Sequence, residues 1–170
     1  MDIGSTAISD EGLEHLKTLS QLQGLSLRYT KVTDAGLANL RGLPLRQSNL
    51  EHTRITDVGL KYLEGLRQLE RLELSETQST DVGLKHLEGL SELRWLCLGG
   101  GGITDAGLVP LNVLSKLQWI SLSRCRITDA GLEHLKGLTE LRTLQLFGSL
   151  VTDEGVRKLQ QALPDCKIDH

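Results

Sequence analysis

The sequence predicts an α/β right-handed solenoid, with a parallel β-sheet on its concave face and short helices on its convex face. Three observations carry that expectation. An Ile/Val/Ser-Thr/Ser-Asp triplet recurs with starts at Ile8, Val32, Ile55, Ser79, Ile103, Ile127 and Val151, spaced 24, 23, 24, 24, 24 and 24 residues apart. Each unit continues Thr-Asp-x-Gly-Leu-x-x-Leu-x-x-Leu, an apolar spacing that puts its leucines on one side of a short helix. Each then closes on a short alternating stretch such as Thr143-Leu144-Gln145-Leu146, whose period of two sends Leu144 and Leu146 inward. A period of this length marks stacked supersecondary units that bury their apolar side only against their neighbours. Strand, helix and strand running in one direction make the sheet parallel, with right-handed crossovers.

Taken in order, residues 1–7 fit the second half of a preceding unit, with Met1 and Ile3 in the two strand-leucine places and Thr6 in the place after them. The chain thus opens inside a repeat, and the expected reason is a cut from a larger protein. That bare first strand, with unpaired backbone groups on its edge, is also the expected route of any self-association. The whole of 1–170 then reads as one repeat domain.

At the head of each unit, Thr33 or Asp34 is placed to accept the free amides of the helix's first turn, as are Asp10, Asp57, Asp81, Asp105, Asp129 and Asp153. Capping therefore accounts for seven recurrent acids without invoking metal or catalysis. The helices should run about two turns and end at Gly42, Gly65, Gly89 and Gly137 as C-terminal caps. Three units depart from the pattern. The unit at Val32 lacks one residue between Pro44 and Leu45 and carries Ser48 in a strand-leucine place, which makes it the weak point of the core. The unit at Ser79 ends in Gly99-Gly100-Gly101-Gly102, read as a flexible turn. The last closes on ALPDCKI, where Ile168 supplies a final strand residue.

Composition narrows the function. A net charge of −3 favours neither nucleic acid nor an anionic membrane. Three cysteines match no zinc or redox spacing and point to a reducing compartment. With no secretory leader or membrane-length apolar run, a soluble, cytoplasmic location is expected. No cofactor is called for.

The segment LRTLQLFGSLV, Leu141 to Val151, carries apolar residues where L-x-x-L-x-L-x-x-N/C-x-L requires them, with Ser149 in the Asn/Cys place. This is the leucine-rich-repeat signature. The ITDAGL units resemble the cysteine-containing repeats of the ribonuclease-inhibitor-like superfamily, known from F-box proteins, and look even more like the 24-residue repeats common in bacterial proteins. ALPDCKI is similar to the close of such bacterial arrays. The resemblance implies a protein-binding scaffold and carries over no catalytic residue. Cys125 alone sits where the F-box type has its ladder cysteine; Thr30, Thr53 and Thr77 stand there in other units, and no F-box segment is present.

The outward strand places are the candidate binding face. Trp95, Trp119, Phe147 and Tyr29 all fall in these columns, in a chain whose aromatic content is only 3%. Adjacent strands lie roughly 4.8 Å apart, so Trp95 and Trp119 should touch. Arg94, Arg124 and Arg142 are expected around them, and Trp, Phe and Arg together are the usual material of binding hot spots. Covering the sheet is the plainer explanation for the two Trp residues. Glu73, with Glu51, Glu70 and Glu76, makes an expected acidic centre beside them. Cys97 lies between Glu73 and Ser121; a nucleophile there would need a base, and His52 stands two strands away. His15, His86 and His134 share one helix-side column but never on adjacent repeats, which argues against a metal site. The leading expectation is a non-enzymatic scaffold for a protein or peptide partner, with Trp95, Trp119, Phe147, Arg94, Arg124, Arg142, Glu73 and Cys97 at the contact. A structural segment of a longer repeat protein is the alternative.

Overall fold

The computed structural model describes residues 1–170. Seven three-residue strands form one sheet in chain order: β1 (Gly24–Ser26), β2 (Gln47–Asn49), β3 (Arg71–Glu73), β4 (Trp95–Cys97), β5 (Trp119–Ser121), β6 (Thr143–Gln145) and β7 (Lys167–Asp169). Every pair is parallel and the register never slips, so Gly24, Gln47, Arg71, Trp95, Trp119, Thr143 and Lys167 form one row across the sheet. Asp2 makes an isolated parallel bridge to Ser26 ahead of β1, and Met1, expected in a strand-leucine place, is exposed. The inward row is Leu25, Ser48, Leu72, Leu96, Ile120 and Leu144, all buried, with Ile168 half-buried at its end. Apart from Ser48, these residues belong with the helix-side leucines to one apolar cluster of 41 buried residues or pack against it, so the core is a continuous ribbon. No helix is long and apolar enough to cross a membrane.

Between strands, the chain makes one α-turn opened by Asp and then a 3₁₀ turn, as in Asp34–Leu37 and Ala38–Leu40. The last unit instead has a ten-residue helix, Asp153–Ala162. The two hydrogens of its Gln160 side-chain amide are shared among the carbonyls of Leu163, Pro164 and Cys166, backbone acceptors of the turn into β7.

Thr and Asp divide the roles that looked interchangeable in the sequence. The threonine is the cap: Thr33 Oγ1 accepts the Ala35 amide, and Thr56, Thr80, Thr104, Thr128 and Thr152 do the same in their units. The aspartate reaches forward into the next repeat. Asp34 accepts the Thr56 amide at 2.8 Å and its hydroxyl at 2.6 Å, and the pattern holds at all six interfaces from Asp10–Thr33 to Asp129–Thr152. The glycine of the motif follows from this. A Cβ on Gly83 would lie 2.5 Å from Asp57 Oδ1 and 2.8 Å from Leu60 Cδ1, and the same crowding recurs down the column.

The expected glycine caps need correction. Of Gly42, Gly65, Gly89 and Gly137, only Gly42 is left-handed, at φ +79°. The others need no such conformation because the residue before each glycine stays helical, whereas Arg41 before Gly42 is extended, at ψ 131°. The four-glycine turn is likewise packed and not merely loose. Gly100 and Gly101 adopt positive φ, and a Cβ on Gly102 would strike the Ser79 carbonyl.

The threonines after the strands form a second row. Thr30, Thr53 and Thr77 donate to the Leu27, Leu50 and Leu74 carbonyls three residues back. Gly101 has no hydroxyl to do this for Leu98. Cys125 of the following repeat donates its thiol to that carbonyl instead, at 3.1 Å, and burial pushes the Cys125 pKa up to about 11. In the short unit, Ser48 is 2% exposed and its Oγ has no hydrogen-bond partner.

Candidate functional site

The sheet's outward face is assembled by register alone. Because β4 and β5 pair with Trp95 opposite Trp119, the two indoles stack with centroids 4.1 Å apart and planes 4° from parallel. Both remain half-buried, held over a filled core by Leu96 and Ile120 beneath them. On the other side of Trp95, the Arg71 guanidinium carbon sits 3.9 Å from the ring centroid. Arg71 also reaches Glu73 at 3.4 Å. Arg71, Trp95 and Trp119 are thus three consecutive members of one row, a cation on two stacked rings.

The arginines expected around the rings are placed otherwise. Arg142 turns toward Asp165 at 3.3 Å, and Arg124 toward Glu76 at 3.8 Å. Arg94 is half-buried, and its carbonyl receives the Trp119 amide at 3.0 Å. The reason is geometric: Arg124 and Arg142 lie beyond the ends of their strands, whereas Arg71 shares the rings' own row. That shared column was visible in the sequence and was the signal that could have found it.

A second grouping lies at the C-terminal ends of the strands. Phe147 and Arg124 are exposed, and the Arg124 amide donates to the Phe147 carbonyl at 2.7 Å. With Glu51, His52, Glu76 and Gly100 they border a shallow concavity of about 370 Å³. Gly100 packs closely at its border, where a Cβ would lie 3.0 Å from the Glu76 amide nitrogen. Tyr29 stacks on His52 at 4.4 Å along the same rim, a pair not singled out in the sequence. Tyr29, His52, Glu76 and Arg124 all have φ between +51° and +62°. Ser5, Gly100 and Gly148 hold positive φ at the same place in their units, so this conformation belongs to the turn that every repeat makes after its strand.

The acidic centre is mostly neutralised. Glu70 pairs with Arg46 at 2.5 Å, Glu73 with Arg71 and Glu76 with Arg124. Burial raises the Glu73 carboxyl above its usual range, against the pull of Arg71. Burial also raises the Cys97 thiol, whose neighbour is the Ser75 hydroxyl at 2.9 Å. A protonated thiol beside a hydroxyl is poorly set up as a nucleophile. No group of three or more His, Cys, Asp or Glu is arranged to hold a metal ion.

A family model described as Leucine Rich repeat matches residues 113–136. No curated protein matches the chain. Among solved structures, internalin C2 of Listeria monocytogenes superposes with a TM-score of 0.76 at 28% identity, over 98% of this chain and 68% of that one. A leucine-rich-repeat protein of Leptospira interrogans gives 0.71 at 23% identity, over 91% of this chain and 38% of that one. A further Listeria monocytogenes internalin, inlF, gives 0.69 at 23% identity, over 99% and 52%. The chain therefore spans from about two thirds to little more than a third of these similar proteins. With an unslipped parallel sheet, helical turns on its back and the repeat signature in its sequence, the chain has the leucine-rich-repeat fold.

Proposed function

We propose that the chain is a non-enzymatic scaffold that binds a protein or peptide on the concave face of its sheet. The observation that carries this reading is the Arg71–Trp95–Trp119 stack, standing half in solvent above a core that is already full. Covering those rings gains roughly 25 cal/mol per Å² of apolar area, and central Trp and Arg residues are where binding energy concentrates. Phe147 adds a second exposed ring, and Arg124 and Arg142 keep most of their side-chain surface in solvent despite their ion pairs. They suit a ligand with an apolar anchor flanked by Asp or Glu. The raised thiol at Cys97 and the Arg71-paired carboxyl at Glu73 favour contact over chemistry at those residues. Three free cysteines are in keeping with a cytoplasmic setting.

The test is selection of peptides from a random displayed library on the immobilised chain, followed by titration of the best clone against variants. Trp95→Ala and Trp119→Ala should each cost about 2 kcal/mol or more of binding with little loss of thermal stability. Equal losses of binding and stability would make the rings structural. A second reading, a structural segment of a longer array, is supported by the limited share of the similar chains that this one spans. It is favoured if no selected peptide depends on either Trp.

A further inference from the structure

The row that holds the two Trp residues continues past them, and it changes character one strand later. In register across β3 to β7 stand Arg71, Trp95, Trp119, Thr143 and Lys167. β4 lies between β3 and β5, so Arg71 and Trp119 cover opposite faces of Trp95. Trp119 has a partner on one face only. Its other face looks along the row to half-exposed Thr143, whose short side chain cannot plate a ring. The next member, Lys167, is drawn aside by Asp169, with Nζ 2.9 Å from its Oδ1. Arg142, just before β6, is held toward Asp165. The register thus leaves an interval one strand wide, a notch with the short Thr143 side chain between Trp119 and Lys167.

Resting on the concave-face reading above, we infer that this notch receives a neutral aromatic side chain of the bound protein or peptide, which continues the stack as its fourth layer. Size supports this. Neighbouring strands are about 4.8 Å apart, and rings on adjacent strands here already stack at 4.1 Å, so one ring over Thr143 meets Trp119 without moving the backbone. Charge decides the rest. A carboxylate would meet the electron-rich ring face, and of the remaining choices a ring covers the open face of Trp119 as fully as Trp95 covers the other. The two basic groups that border the notch already have acidic partners, so nothing there calls for a charged occupant.

The experiment uses the full chain and the random peptide library. The best clone, made with a fluorescent label, is titrated against wild type, Trp119→Ala and Thr143→Trp, and is remade with its aromatic residue changed to Leu. The inference expects the clones to share one Phe, Tyr or Trp, its change to Leu to weaken binding at least tenfold, and Thr143→Trp to do the same with the melting temperature kept. Thr143→Arg, which fills the notch with a smaller planar group, is the second variant should Thr143→Trp unfold the chain. Peptides that need Trp119 but tolerate both Leu and a filled notch overturn the inference and leave the concave-face reading standing. Peptides indifferent to Trp119→Ala overturn both. Saturable binding of adenosine monophosphate at Trp119, with no aromatic-dependent peptide, overturns the protein occupant in favour of a nucleobase.

Discussion

Two rows of side chains run the length of this solenoid, the aspartates on the helix side and the outward residues on the sheet. The aspartate row repeats itself at all six interfaces. Each carboxylate takes the amide and hydroxyl of the next threonine, and each next glycine makes room for it. The sheet row never repeats a neighbour except once, at Trp95 and Trp119. Both rows sit on the same backbone, so geometry does not explain the difference. What the first row does is join one repeat to the next, a task identical at every step. Nothing in folding asks the second row for any one residue. The lesson is that in a repeat protein the row that joins neighbouring units must repeat, while the outward row is free to vary.

That contrast can be broken most severely at the glycine. Gly83→Ala drives a Cβ into Asp57 and Leu60. It should cost about 2–3 kcal/mol by overpacking, read as a lower urea midpoint, although alanine is the better helix former. A neutral result would mean the interface yields, and the aspartate row is not the joint described here. The Trp substitutions proposed above are the matched experiment on the other row, with a large effect on binding and a small one on stability.

A smaller effect of opposite sign is expected in the short unit. Ser48→Ala removes a buried hydroxyl without a partner and should gain about 1 kcal/mol in denaturant unfolding. Ser48→Leu should gain little, because overpacking a core already closed around the serine costs about 1–3 kcal/mol. A large gain from Leu would show an unfilled cavity at that position.

The smallest effect is with pH. The Thr152 amide, and then its hydroxyl, hold the Asp129 carboxyl below its ordinary range. A carboxyl whose pKa is depressed by folding stabilises the fold above its unfolded value, near pH 3.9, and that contribution disappears as pH falls through the folded value. Melting temperature should therefore fall with acid more steeply in wild type than in Asp129→Asn. Parallel curves would show that this last joint carries no linkage.

Much of this was legible in the sequence. The period fixes where each strand and helical turn falls, and period two fixes which strand residues point inward; Leu25, Leu72, Leu96, Ile120 and Leu144 are buried as that reading requires. The contact of Trp95 with Trp119 followed from counting columns. The aspartates show where such reading ends. A carboxylate at the first turn of a helix suits its own cap and its neighbour's amide equally well in one dimension. Only the stacking of repeats brings Thr56 to 2.8 Å from Asp34. The arginines teach the same point, since long side chains reach partners that no spacing rule names. The glycines do as well, because a left-handed turn at Gly42 alone depends on how each loop leaves its helical turn.

By itself, then, the sequence determined the architecture, the inward faces, the row to which each outward residue belongs and the weak unit at Ser48. All of these follow from periodicity, which is a property of the chain's order. Tertiary structure alone decided that aspartate bonds forward, that Cys125 serves the Leu98 carbonyl for the hydroxyl that Gly101 lacks, and that Arg71 is the cation on Trp95. The physical reason is that each of these is a contact between repeats. It is set by side-chain direction and by which donors a neighbouring unit leaves free, and neither is written within a single period.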